Sequence, residues 1–144
     1  MRLVRIALSL VLFIVTRAFS QQITVKLLDG RNGHPLKGAV IDIWFGDHAS
    51  GVPLQPRMGQ DGTTLVTAPQ SEKTFVAAGD WLADCRGGNE PGKSYIDRYV
   101  YSVDQALIAG IVSENRCGKA TARPVPGTFT FFVRPMHWWE KMRE

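Results

Sequence analysis

What most limits the fold of this chain is a rhythm of short runs of β-branched and aromatic residues, each interrupted by Gly, Pro, Asn or Asp. Ile23-Thr24-Val25-Lys26-Leu27 alternates apolar and polar, the period-2 pattern of a half-buried strand. Asp29-Gly30-Arg31-Asn32-Gly33 supplies a turn after it. Ala39 to Phe45 is the strongest strand, with Ala39, Ile41, Ile43 and Phe45 on one face. Residues 46–59 carry Gly46, Gly51, Pro53, Pro56 and Gly59 and read as an exposed loop or irregular edge segment. Asp61-Gly62 is a hairpin turn signal, and Thr63 to Thr67 is the strand beyond it. Thr74–Ala78, Tyr95–Tyr101 and Thr128–Val133 complete the series, the last stopped by Pro135. One helix interrupts it. Ser102 and Gln105 form a capping box, and Val103, Ala106, Leu107, Gly110 and Ile111 share a face until Gly110 ends the helix. The pattern predicts an all-β sandwich of about seven strands with one short helix.

The first twenty residues do not belong to that rhythm. Met1 to Arg5 is short and positive, Ile6 to Thr16 is apolar and uncharged, and Ala18 and Ser20 are small residues before Gln21. This is the layout of a secretory signal peptide cleaved after Ser20, because a membrane-spanning helix needs about 20 apolar residues. Residues 1–20 are therefore expected to be the signal and 21–144 the single domain, secreted or periplasmic, with no transmembrane segment. The full chain has 17 Lys+Arg against 13 Asp+Glu, a formal charge of +4. The signal holds three of those basic residues and no acidic one, so the remainder is at about +1. A nucleic-acid partner thereby loses its electrostatic footing. The 44% hydrophobic content excludes disorder.

An exported chain with two cysteines is expected to join them. Cys85 and Cys117 lack a CxxC spacing and a neighbouring His, so a disulfide is preferred to a metal pair or a nucleophilic thiol.

Val25-Lys26-Leu27-Leu28-Asp29, then Gly33-His34-Pro35-Leu36-Lys37-Gly38-Ala39-Val40-Ile41-Asp42-Ile43 and Gln60-Asp61-Gly62, resembles carboxypeptidase regulatory-like domains. The resemblance implies a transthyretin-like (prealbumin-type, Ig-like) β-sandwich, a bacterial source, and a non-catalytic module that binds or spaces. Gly38 to Trp44, with Asp47 and Gly51, also resembles the strand and loop of intradiol ring-cleaving dioxygenases. Their iron needs two Tyr and a His-x-His pair. Here His34, His48 and His137 are far apart, and Tyr95, Tyr99 and Tyr101 have no His neighbour. The tail Lys141-Met142-Arg143-Glu144 likewise differs from the Tyr-Arg-Gly-Ser end of the transthyretin-like hydrolase of purine breakdown.

No cofactor, metal or catalytic residue is assigned. The histidines lack ligand spacing. Asp42, Asp47 and Asp61 offer oxygen ligands of the kind Ca²⁺ takes, but Asp61 is explained by its turn. Asp80, Asp84, Glu90 and Asp97 give no recognisable acid–base pair, and no Gly-x-Ser-x-Gly occurs. Trp44, Trp81, Trp138 and Trp139 remain as candidate ligand-binding residues, with core packing as the competing role. Trp138-Trp139 also fits a short terminal helix lying across the sandwich. The expected function is a secreted, non-enzymatic binding or accessory module for a carbohydrate, a cell-envelope component or a protein. The alternatives are a small envelope enzyme of dioxygenase-like or hydrolase type and a structural surface subunit.

Overall fold

Alternation along the strands sorts the side chains into two facing sheets. The computed structural model describes residues 21–46, 52–69, 73–79, 81–86 and 100–142. The elements are β1 (Gln21–Asp29), β2 (Ile41–Phe45), β3 (Thr63–Ala68), β4 (Lys73–Ala78), β5 (Leu82–Asp84), β6 (Val100–Ser102), α1 (Val103–Ala109), β7 (Ile111–Val112), β8 (Thr128–Pro135) and α2 (Trp138–Lys141). One sheet runs β3-β1-β8-β5, with β7 also paired to β8, and the other runs β2-β4-β6. The expected all-β sandwich is therefore present.

The core lies between the sheets. Ile23, Val25 and Leu27 of β1 and Phe129, Phe131 and Val133 of β8 point inward, against Ile41 and Ile43 of β2 and Val76 of β4. Phe129 and Phe131 stack at 5.7 Å, and the Tyr101 ring meets Phe131 edge-on at 5.3 Å. Val103 and Ala106 of α1 join the same cluster. Ser102 caps α1 by accepting from the Gln105 N–H, the forward half of the expected capping box, and Gly110 ends the helix at φ 77°.

β8 is buried on both faces. Leu28 and Phe132 point away from the sandwich core into a second, smaller cluster with Cys85, Cys117, Ala120 and Ala122. The irregular stretch 113–125 makes this cover. The Cys85–Cys117 disulfide ties it to the chain immediately after β5. Asn115 fastens it further, its side-chain amide donating to the Gly30 and Ala120 carbonyls at 2.8 Å.

Several expectations need correction. Asp61-Gly62 does turn the chain, with the Gly62 N–H donating to the Gly59 carbonyl, but it makes no hairpin. Residues 54–58 pair with the β2 side, while β3 crosses to the other sheet and pairs with β1. Ile111 leaves the helical face and begins β7, beside Phe129. Strands β5 and β7 add to the expected strands, and the short terminal helix that Trp138-Trp139 fits is present as α2. β1 and β8 pair in parallel, Thr24 with Thr128 through Asp29 with Val133. The signal segment and residues 95–99 of the expected strand lie outside the described residues.

Candidate binding site

The site is assembled where β5 and β8 leave the sheet. The chain turns between Gly79 and Leu82, whose N–H donates to the Gly79 carbonyl at 3.2 Å. A side chain at Gly79 would meet the Val40 carbonyl oxygen at 2.3 Å, so that position admits only glycine. Trp81 takes up the resulting geometry. Its φ of 67° makes it the one non-glycine residue among those described with a left-handed backbone. Its carbonyl accepts from the Met136 N–H at 2.9 Å, which fixes it against the end of β8. The indole is 55% exposed.

α2 carries the rest. Pro135 ends β8, and four residues of helix follow under a charged clasp. The Glu140 carboxylate accepts from both Arg134 guanidinium nitrogens, at 2.8 and 2.6 Å, and from the His137 N–H at 2.7 Å. These donors, Arg134 first, hold the Glu140 carboxyl at about 2, well below the ordinary range. The His137 ring stacks on Trp139 at 4.1 Å, and Trp138 stands edge-on to Trp139. Lys141 reaches back, its ammonium 4.7 Å from the Trp81 ring centre, so α2 and the Trp81 turn form one surface. Trp138 is 69% and Trp139 44% exposed, and Met142 is exposed beside them. Flat apolar faces with a charged rim result, a surface that single scattered side chains do not make.

Trp44 stands apart. It is half-buried on β2, on the face opposite Ile41 and Ile43, and in register with Phe75. Three of the four candidate tryptophans thus belong to one surface and the fourth to the other sheet.

The other candidates resolve individually. The Asp42 carboxylate accepts from the Gln55 amide at 2.8 Å, and Asp61 accepts from the Thr63 N–H and hydroxyl. Those Thr63 bonds account for the lowered Asp61 pKa. His34 is exposed, and His137 is engaged with Trp139. Among the described residues no three His, Cys, Asp or Glu side chains group as metal ligands. Asp47, His48, Asp80, Glu90, Tyr95, Asp97 and Tyr99 lie outside the described residues. An open groove of about 460 Å³ crosses the outer sheet face between Pro35 and Arg123. Its floor is Thr24, Lys26, Thr128 and Thr130, and no aromatic ring lines it.

Sequence reasoning missed one polar cluster. Arg86 is buried between the sheets, paired with Asp84 and donating to the Tyr101 hydroxyl at 3.0 Å and the Val76 carbonyl at 2.9 Å. Its guanidinium also lies over the Tyr101 and Phe131 rings. Burial is the largest single influence and opposes its charge, but the hydrogen bonds and charge of Asp84 together with Tyr101 outweigh it, and the pKa is raised. The available signal was an Asp and an Arg two apart astride Cys85, at one end of a strand too short to show a period.

No protein-family model, curated protein or solved structure matches the chain. Among the described residues no helix is long and apolar enough to cross a membrane.

Proposed function

We propose that this chain is an exported, non-catalytic binding module of the carboxypeptidase regulatory-like kind, with Trp81, Trp138 and Trp139 as its contact surface for carbohydrate. The observation that carries the reading is Trp81. A left-handed backbone costs a bulky residue about 1–3 kcal/mol, and such strain gathers at functional positions. Here the strained residue neither fills the core nor eases the turn, because its indole is more than half exposed. Indole faces suit the C–H faces of sugar rings, and the N–H groups and charged rim suit the hydroxyls around them. The signal-peptide layout and the disulfide support export.

The test is a panel of neutral and envelope polysaccharides, read by thermal shift and tryptophan fluorescence. At least one member raises the melting temperature. Trp81→Ala and Trp138→Ala each weaken that binding at least tenfold, while Trp44→Ala leaves it unchanged. If no glycan shifts the protein and a pull-down recovers one specific protein instead, the carbohydrate reading is lost.

A further inference from the structure

Strand parity shows which backbone groups of β3 face outward. The Leu27 N–H donates to the Gly62 carbonyl, so the odd residues of β1 bond towards β3, meeting its even residues. The Thr24 N–H donates to Gly127 and the Gly30 N–H to Val133, so the even residues of β1 face β8, in agreement. Thr63, Leu65 and Thr67 therefore turn their N–H and C=O groups away from the sheet, and β3 is the end of its strand order.

Thr63 is already satisfied. Its N–H donates to Asp61 at 3.0 Å and its carbonyl accepts from the Gly59 N–H at 2.8 Å. At the other end Pro69 has no N–H to offer. Leu65 and Thr67 are left, and their outward groups have no partner among the described residues. Between these two ends, β3 carries no further edge protection among the described residues. Thr63 to Ala68 contains no charge, no proline and no bulge, and Leu65 is 64% exposed at its centre.

We propose that β3 pairs antiparallel with β3 of a second copy of this chain, about a two-fold axis at Val66, joining the two larger sheets into one. An open window of residues i and i+2 is self-complementary. Leu65 of one copy faces Thr67 of the other and the reverse, so every outward N–H meets an outward C=O and nothing is left over. The satisfied Thr63 and Pro69 close the window on both sides, which fixes the register. The two exposed Leu65 side chains become diagonal neighbours on one face, about 7–8 Å apart. The absence of charge lets two identical edges approach without repulsion. The resulting interface is isologous and closes at the dimer.

Sedimentation of the purified chain over a concentration series, with amide hydrogen exchange, tests this. A reversible dimer is expected, with the Leu65 and Thr67 amides gaining protection as it forms while that of Thr63 does not change. Leu65→Lys sets like charges across the axis, and Thr67→Pro removes a donor that the monomer does not use. Each weakens association at least tenfold while leaving the melting temperature of the dilute, monomeric chain unchanged. Should Thr67→Pro fold poorly, Leu65→Lys and the amide exchange decide the matter. A chain that stays monomeric, including one that pairs β3 only with a different protein, overturns the proposal. So does a dimer that Leu65→Lys leaves intact.

Discussion

Arg86 is where a single residue matters most to this fold. Its guanidinium starts from the end of the larger sheet and reaches Val76 and Tyr101 of the smaller one, so a single side chain ties the two layers. Burying a charge is costly, and the cost is offset only when the partners are complete. Asp84 supplies the counter-charge, and the aromatic faces of Tyr101 and Phe131 supply the rest. Removing one member of a buried pair leaves the other uncompensated, at roughly 3–5 kcal/mol. Asp84→Asn and Arg86→Ala are each expected to lower stability on that scale in urea denaturation. The double change Asp84→Leu with Arg86→Met should cost less than either alone. A double variant as unstable as the sum of the two singles would show that the pair is not the coupled unit described. Trp81 is the opposite case, a residue whose backbone strain secures exposure rather than burial.

At the scale of elements, legibility followed length and face. β1, β2 and β8 are long enough to show a period, and their inward sets Ile23-Val25-Leu27, Ile41-Ile43 and Phe129-Phe131 are legible in the sequence. β5 and β7, at three and two residues, carry no measurable period. Partner choice was hidden too. Asp61-Gly62 dictates a turn, but which sheet receives the next strand depends on residues 54–58 being occupied with β2. For the site, the tryptophans were visible in the sequence, but their grouping came from tertiary bonds that it does not encode locally. The Met136 N–H to Trp81 bond and the Lys141 reach are two of them.

α2 is the element whose hold is easiest to break. Four residues cannot sustain a helix alone, so the Arg134–Glu140 clasp and the cap at His137 maintain it. The folded Glu140 carboxyl lies at about 2 against an ordinary 4.5, so the sign is that of a depressed acid. Its contribution is complete above the unfolded value and is lost as pH falls through the folded one. Tryptophan fluorescence should therefore be steady from neutral pH down to about 4.5 and change towards pH 2. Glu140→Gln should show the loosened signal already at pH 7. A midpoint at the ordinary carboxylate value would mean that the clasp does not hold α2 in solution.

For the whole molecule, the decisive arrangement is that the larger sheet is covered on its inner face by the second sheet and, over β8 and the end of β1, on its outer face by residues 113–125. Only the inner cover is built from strands, so the outer one depends on its fastenings. The chain-entropy view gives a disulfide closing about 33 residues roughly 3–4 kcal/mol. Gly30 lets the fastening close. A Cβ there would lie 2.7 Å from the Cys85 sulfur and 2.5 Å from Asn115 Oδ1, so the backbone passes directly under the bridge. Two perturbations of unlike chemistry should then converge. Cys85→Ala with Cys117→Ala removes the bridge, and Gly30→Val wedges it away from β1. Both should lower the denaturation midpoint. Both should also speed amide exchange in residues 113–123 more than in β2 or β4, because Leu28 and Phe132 lose their cover while Phe129 and Phe131 keep theirs. Uniform acceleration across both sheets would instead mean that the outer cover is integral to the core.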